Sequence, residues 1–297
     1  MKNDFQSKGY AVIRGLLNPQ ECRFYREEIV RLSGVSDNDF GSRVFECPDG
    51  VSQHKLFWPI ISNDHLINVL HEILGPDIRY TQHSDLHAHR TGGWHRDCAC
   101  REFGNGPDWQ DKDDPYKVVR VAIYLQSFRE SGSSLGVVPG SHHSEARANR
   151  YVQRFWAMLF SVGHKILKLA SKLGFCEKPT RLKKQMIIWT QGDQPSLLQP
   201  PTRPEWIETE PGDCIIFDQR IYHSASPIHG PKYAIYLSYS PENQHARNHM
   251  GYYRHFRKDL AYEDLDSDLA EQLQEKHLFM RAPPPDSVHG YFSNQSS

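Results

Sequence analysis

Long apolar runs are missing from this chain. The strongest, Phe155 to Phe160, covers six residues, far below the roughly 20 that a membrane-spanning helix needs. Net charge is nearly missing as well. The 35 Lys and Arg residues stand against 36 Asp and Glu, leaving −1. The molecule as a whole therefore has no field that would draw it to nucleic acid or to a membrane. Paired cysteine spacing is absent too. Cys22, Cys47, Cys98, Cys100, Cys176 and Cys214 form no recognisable framework, and a 297-residue chain can build its core without disulfide staples. The opening residues, Met1 to Gln6, lack the apolar core of a signal peptide. These absences together predict a reducing, cytoplasmic setting. No internal repeat and no break in composition marks a second domain, so a single domain over 1–297 is expected.

What is present is a pattern of short strands with helices at both ends. Gly9 to Gly15 reads as a strand, followed by a helix opened by Asn18-Pro19-Gln20-Glu21, a cap residue with proline at the first helical position. Asp64 to Leu74 reads as a second helix, stopped by Gly75-Pro76. Strands are expected at 78–86, 87–98, 118–126, 135–138, 186–190, 206–208, 213–217 and 233–240, with a loop at 101–117. The clearest is Val118 to Gln126, where Val119, Val121, Ile123 and Leu125 alternate with Arg120, Ala122 and Tyr124. Helices are expected at 147–174 and 265–277. Many short strands between terminal helices predict a mainly β protein, a jelly roll with added helices.

The chemistry-bearing residues are split between two places. Gly93-Trp94-His95-Arg96-Asp97 lies early, and the run from Pro211 to His223 lies far downstream. Residues two apart on a strand point to the same face, so the His95 imidazole and the Asp97 carboxylate can reach one ion together. His-x-Asp alone is a weak signal in a chain with 17 histidines. It gains weight from His223, which follows a strand opened by Pro211-Gly212-Asp213, and from Lys232 nine positions later, a cation suited to a dicarboxylate. Two histidines and one carboxylate with open positions make the facial triad of non-haem Fe(II) oxygenases. Trp94 and Tyr124 are candidates to line a pocket beside it, although strand aromatics are more often core. Gln82, Asp85 and His87 are candidate polar pocket residues against a solvated strand edge. Cys98 and Cys100 are too few for a second metal site and read as buried thiols.

In these segments the chain resembles the phytanoyl-CoA dioxygenase-like Fe(II)/2-oxoglutarate oxygenases. The resemblance rests on Gly9-Tyr10-Ala11-Val12-Ile13, the pair His95 and Asp97, Leu135-Gly136-Val137-Val138-Pro139-Gly140-Ser141-His142, and Pro211 to His223, and runs to about Tyr239. It implies a double-stranded β-helix (cupin-like jelly roll) core, metal ligands at His95, Asp97 and His223, and Fe(II), 2-oxoglutarate and O2 as reactants, with ascorbate as an accessory reductant. The family's 2-oxoglutarate anchor is usually arginine. The matching position is Lys232, which keeps the charge but loses bidentate geometry; Arg120 is the alternative anchor. Ala225 stands where members often carry serine, with Ser224 or Ser226 as substitutes. Because Asp97 is a carboxylate rather than the small residue of related halogenases, the resemblance implies hydroxylation.

One stretch stands apart. Between Arg147 and Lys184, ten Lys and Arg residues face a single acid, Glu177. Arg147, Arg150, Arg154, Lys165, Lys168 and Lys172 recur at steps of three and four, with Val152, Trp156, Leu159, Ile166, Ala170 and Leu173 largely opposite. A basic amphipathic helix of this kind suits an anionic membrane surface, or equally a helix packed on the core with its charges in water. The expectation is a basic helical insertion at about 145–185 that recruits an anionic substrate, with Lys165, Lys168, Lys172 and Trp156 at a substrate or membrane surface. The resulting function is hydroxylation of a small or lipid-linked anionic substrate. Hydroxylases of Kdo, the acidic sugar of lipopolysaccharide, belong to the wider group and fit a peripheral position at the inner face of a membrane. A soluble carboxylate or acyl-CoA is the competing substrate class, a non-catalytic jelly-roll binding protein the competing function class, and no nucleic-acid partner is expected.

Overall fold

The computed structural model describes residues 1–100, 106–109, 115–132, 134–143, 204–225 and 228–287, together with Met158 and positions 162–163, 165–166 and 168–174. Ten strands form two antiparallel sheets. The larger contains β1 (Tyr10–Ile13), β8 (Cys214–Asp218), β5 (Val119–Tyr124), β10 (Tyr233–Pro241), β4 (Asp85–Ala88) and β2 (Phe45–Pro48) in that order, with β3 (Ile78–Tyr80) also paired to β10. The smaller contains β7 (Glu205–Glu208), β6 (Ser134–Val137) and β9 (His223–Ala225). This is the double-stranded β-helix expected from the sequence.

Period-two alternation decides which side of the large sheet each residue serves. Val119, Val121 and Ile123 of β5, Cys214 and Ile216 of β8, and Tyr233, Ile235, Leu237 and Tyr239 of β10 share one core with the helices Pro19–Ser33 and Asp64–Leu74. Ala122 and Tyr124, Ile215 and Phe217, and Ala234 point the other way and pack against Leu135, Val137 and Ile207 of the small sheet. All six residues of β5 are buried because both faces are covered.

Local chemistry fixes the elements as expected at several places. Asn18 caps its helix by accepting from the Gln20 and Glu21 amides, while Glu21 reaches back to the Asn18 amide at 2.7 Å. Gly212, at φ +86°, lets the turn into β8 pass so close to the Leu17 carbonyl that a Cβ would lie 2.1 Å from its oxygen. Asp213 then binds the Arg14 guanidinium at 2.6 Å and the Gly15 amide at 2.9 Å, tying β8 to the end of β1.

Two expectations need correction. Residues 78–86 are not one strand: β3 ends at Tyr80, and Gln82 takes φ +58° before β4 starts at Asp85. Residues 87–98 are not a strand either. Beyond Ala88 the segment leaves the sheet, and His95 returns only as an isolated bridge to His223. The sequence reading also passed over β2 and the helix Gln244–Gly251 with its π turn Tyr252–Phe256. The strand expected at 186–190 lies outside the described residues.

Candidate active site

His95, Asp97 and His223 meet where the two sheets open toward each other. The backbone places them. His95 and His223 exchange both amide-to-carbonyl bonds, at 2.9 and 3.0 Å, so the ligand segment is stitched to the front of β9. The Asp97 and Cys98 amides both donate to the Gln219 carbonyl, at 2.9 and 3.1 Å, which turns the chain back after the bridge. The same-face arrangement expected for residues 95 and 97 is therefore present, but these bonds create it rather than a continuous strand.

The donor atoms converge. His95 Nε2 lies 3.2 Å from Asp97 Oδ1 and His223 Nε2 lies 3.5 Å from Asp97 Oδ2. One donor atom from each of the three residues falls within 4.8 Å of the other two. Donors bound at about 2.1 Å to one ion at right angles stand about 3 Å apart, so the set fits a single first-row metal. The other ring nitrogens are accounted for: His95 Nδ1 sits 2.7 Å from the Gly93 carbonyl and His223 Nδ1 3.0 Å from the Ile221 carbonyl. A carbonyl only accepts, so Nδ1 carries the proton and each Nε2 offers its lone pair to the shared point. Side-chain exposure falls from 40% at His95 to 16% at Asp97 and 4% at His223, and all three line one cavity.

Protonation suits ligation. Burial pushes His223 down to about 4, helped by the neighbouring His95 and opposed by Asp97. Burial alone would raise Asp97, but His223, His95 and Arg120 outweigh it and hold the carboxyl well below its usual range. Near neutrality the site therefore presents a neutral imidazole at His223 and an ionised carboxylate, the states that bind metal.

The cavity in front of these residues has a volume of about 270 Å3, at the small end for ligand sites. Arg90, Arg120, Lys232 and Arg257 line it, with Glu46, Asp85 and His87. Its field is positive around His87, which is held well below its ordinary value by burial first and then by Lys232, Arg120 and Arg90. The two candidate anchors differ. Arg120 is paired with the Asp85 carboxylate and donates to the His83 carbonyl at 2.9 Å, so its charge is already matched. Lys232 projects from the chain just ahead of β10 and its Nζ donates to the Arg90 carbonyl at 2.7 Å.

Other expected residues fall elsewhere. Tyr124 is fully buried in the inter-sheet core and is not among the cavity lining. Gln82 turns away at its positive φ and donates to Asp49 and to the Glu263 carbonyl. Ser224 donates to the Gly92 and Ala225 carbonyls and also lies outside the lining. Trp94 packs against Trp206 and Tyr222 at ring separations of 5.9 and 5.7 Å. Asp85 and His87, two apart on β4, do face the cavity together. Lys165, Lys168 and Lys172 are exposed and not in the lining. Trp156 and Ser226 lie outside the described residues.

The C-terminal segment supplies what sequence reading missed. Tyr253, Arg257 and Leu260 form one wall of the cavity. Tyr253 stacks on His83 at 3.7 Å between ring centres, and its hydroxyl donates to the Asp97 carbonyl at 3.4 Å. The available signal was the density of aromatic and basic residues from His245 to Arg257.

Comparisons with known proteins agree with this geometry. A model of the family described as phytanoyl-CoA dioxygenase matches residues 5–235. No curated protein matches the chain. Among solved structures, HygX from Streptomyces hygroscopicus with nickel and 2-oxoglutarate bound is 15% identical, with a TM-score of 0.54, covering 82% of this chain and 87% of that one. HygX with nickel, 2-oxoglutarate and hygromycin B bound is 17% identical, with a TM-score of 0.52 and coverage of 82% and 88%. The epimerase SnoN in complex with Fe3+, alpha-ketoglutarate and nogalamycin RO is 12% identical, with a TM-score of 0.50 and coverage of 80% and 81%. At these identities the likeness is one of fold.

Proposed function

Since the chain belongs to the phytanoyl-CoA dioxygenase family, a family of iron- and 2-oxoglutarate-dependent oxygenases, we propose that it hydroxylates a small or lipid-linked anionic substrate at an iron held by His95, Asp97 and His223. The observation that carries this is the convergence of the two Nε2 atoms on the Asp97 carboxylate, each imidazole being fixed by a backbone carbonyl behind it. Family membership sets aside the non-catalytic reading.

The bound iron, with 2-oxoglutarate and O2, supplies the oxidising power. With them bound, the site would support insertion of one oxygen atom into a substrate C–H bond, coupled to conversion of 2-oxoglutarate to succinate and carbon dioxide. The protein's part is to hold and orient. Lys232 takes the far carboxylate of 2-oxoglutarate, because Arg120 is already committed to Asp85. The Arg120–Asp85 pair stiffens the floor of the cavity beside Asp97. Arg90 and Arg257 lie at the cavity with acidic partners of their own, Glu46 at 3.0 Å and Asp259 at 2.8 Å, and an anionic substrate would exchange with those partners.

A cavity of about 270 Å3 admits the co-substrate and the reacting end of a substrate, not a whole lipid. An acidic sugar such as Kdo, presented on a lipid, fits that shape and field. A soluble carboxylate or acyl-CoA is the second reading. The test is succinate release with Fe(II), 2-oxoglutarate and O2, screened against Kdo-bearing glycolipid, small carboxylates and acyl-CoA. The expected result is stimulation by one acidic class. Stimulation only by neutral or cationic compounds would overturn the substrate reading.

A further inference from the structure

The basic stretch singled out in the sequence is not absorbed by the site. Its described residues, Met158 and those from 162 to 172, are helical, and the end is marked by Gly174 at φ +79° with its amide on the Ser171 carbonyl at 3.2 Å. Which way this helix faces is the informative point. Met158, Val162, Ile166, Leu169 and Leu173 are 59, 51, 62, 59 and 63% exposed. They are five of the ten large hydrophobic side chains exposed among the described residues. The other five are scattered, which is normal for a soluble protein, whereas a contiguous apolar stripe is not.

At 100° per residue Val162, Ile166, Leu169 and Leu173 fall within an arc of about 60°. Lys165, Lys168 and Lys172, all exposed, border one edge of that arc. Among the described residues of this stretch the half-buried ones are Gly163, Ala170 and Ser171, on the side away from the stripe.

We propose that the exposed side chains of Met158, Val162, Ile166, Leu169 and Leu173 dock the protein on an anionic lipid bilayer by entering the interface, with Lys165, Lys168 and Lys172 reaching the headgroups. Charge selects this occupant. Ten basic residues against one acid between Arg147 and Lys184 would repel a second copy of the same surface, while an anionic leaflet attracts each lysine. Lysine stems also lie along apolar surface with the ammonium raised to the headgroup level. No helix among the described residues is long and apolar enough to cross a membrane, so the contact is peripheral. This docking stands on the helix alone and does not depend on the catalytic reading.

Vesicle flotation of the full chain tests it, with phosphatidylcholine vesicles beside mixed phosphatidylcholine–phosphatidylglycerol vesicles, and light scattering for oligomeric state. Wild type should float with the mixed vesicles, weakly or not at all with phosphatidylcholine alone. Each Lys→Gln change at 165, 168 or 172 should weaken binding about fivefold, and the triple variant about a hundredfold. Ile166→Gln with Leu169→Gln, which leaves every lysine in place, should weaken it at least tenfold. Asp97→Ala should bind like wild type, so a failed oxygenase reading would leave this result untouched. The substituted side chains are exposed, and unchanged thermal unfolding will show that each variant folds. Wild type that ignores both vesicles overturns the proposal. So does loss of binding only in the lysine variants, which would mean surface attraction without insertion. A dimer that Leu169→Gln converts to monomer, without vesicle binding, would make the stripe a protein interface and overturn it as well.

Discussion

The large sheet, which lines the metal cavity with Asp85, His87 and Arg120, and the helix between the second and third ligands obey opposite rules. In β5, β8 and β10 the apolar side chains are buried, and two central polar ones are paired: Arg120 of β5 with Asp85, and Ser238 of β10, which accepts from Gln219 Nε2 at 2.7 Å. Among the described residues of the helix, the apolar side chains Met158, Val162, Ile166, Leu169 and Leu173 are exposed. One region has settled its interactions inside the fold. The other leaves its described apolar side chains exposed. In the two proposals above, the contrast separates holding a metal and co-substrate in fixed geometry from meeting a charged surface.

The largest effect that would sharpen this contrast is expected in the sheet. Arg120→Ala leaves Asp85 buried without its partner and should lower unfolding free energy by about 3–5 kcal/mol, read by chemical denaturation. If the loss is below about 1 kcal/mol, the site is not the rigid region described.

Next comes a buried carboxyl beside the same sheet. Burial raises Asp49 from an ordinary 3.8 to about 7, against hydrogen bonds from Ser52, Gln82 and Ser84. The folded state keeps this proton across the interval where the unfolded chain has lost it, so its contribution to stability is present at low pH and fades as pH rises toward 7. Asparagine also accepts the left-handed backbone at φ +55°. Asp49→Asn should therefore gain on wild type by about 2–3 kcal/mol between pH 5 and pH 7.5. Parallel stability–pH curves would refute the assignment.

Lys232→Ala should raise the KM for 2-oxoglutarate about 10- to 100-fold, the loss of one charge-assisted bond of about 1.5–3 kcal/mol, while Fe(II) affinity stays within about threefold. An unchanged KM would move the anchor elsewhere in the cavity. The smallest effect belongs to the helix. Leu169→Gln should shift stability by no more than about 0.5 kcal/mol, where a polar change at buried Val121 should cost several times more. A large loss at Leu169 would mean that the stripe is packed after all.

The same contrast explains what could be read from the sequence. β5, β8 and β10 alternate so regularly that their faces, and the position of Arg120 on the inner one, follow from period two. The three candidate ligands were legible from their order and from the family resemblance, and the structure brings their donor atoms within 4.8 Å of one another. Their support was not legible. The His95–His223 bridge and the paired bonds to Gln219 are long-range backbone contacts, with no trace in local periodicity. Tyr124 has the right face but lies beyond the cavity along β5, and Gln82 fails because a positive φ turns it toward Asp49. Tyr253 and Arg257 arrive from a segment after the last strand, beyond the family match at residue 235. The amphipathic pattern of the helix was visible, but pattern alone does not say which face looks outward.

Anaerobic addition of Fe(II) and 2-oxoglutarate tests the central claim most directly. A site built from His95, Asp97 and His223 should give a weak visible charge-transfer band that needs both additions and disappears in His95→Ala. No band in wild type, or an undiminished band in His95→Ala, would contradict it.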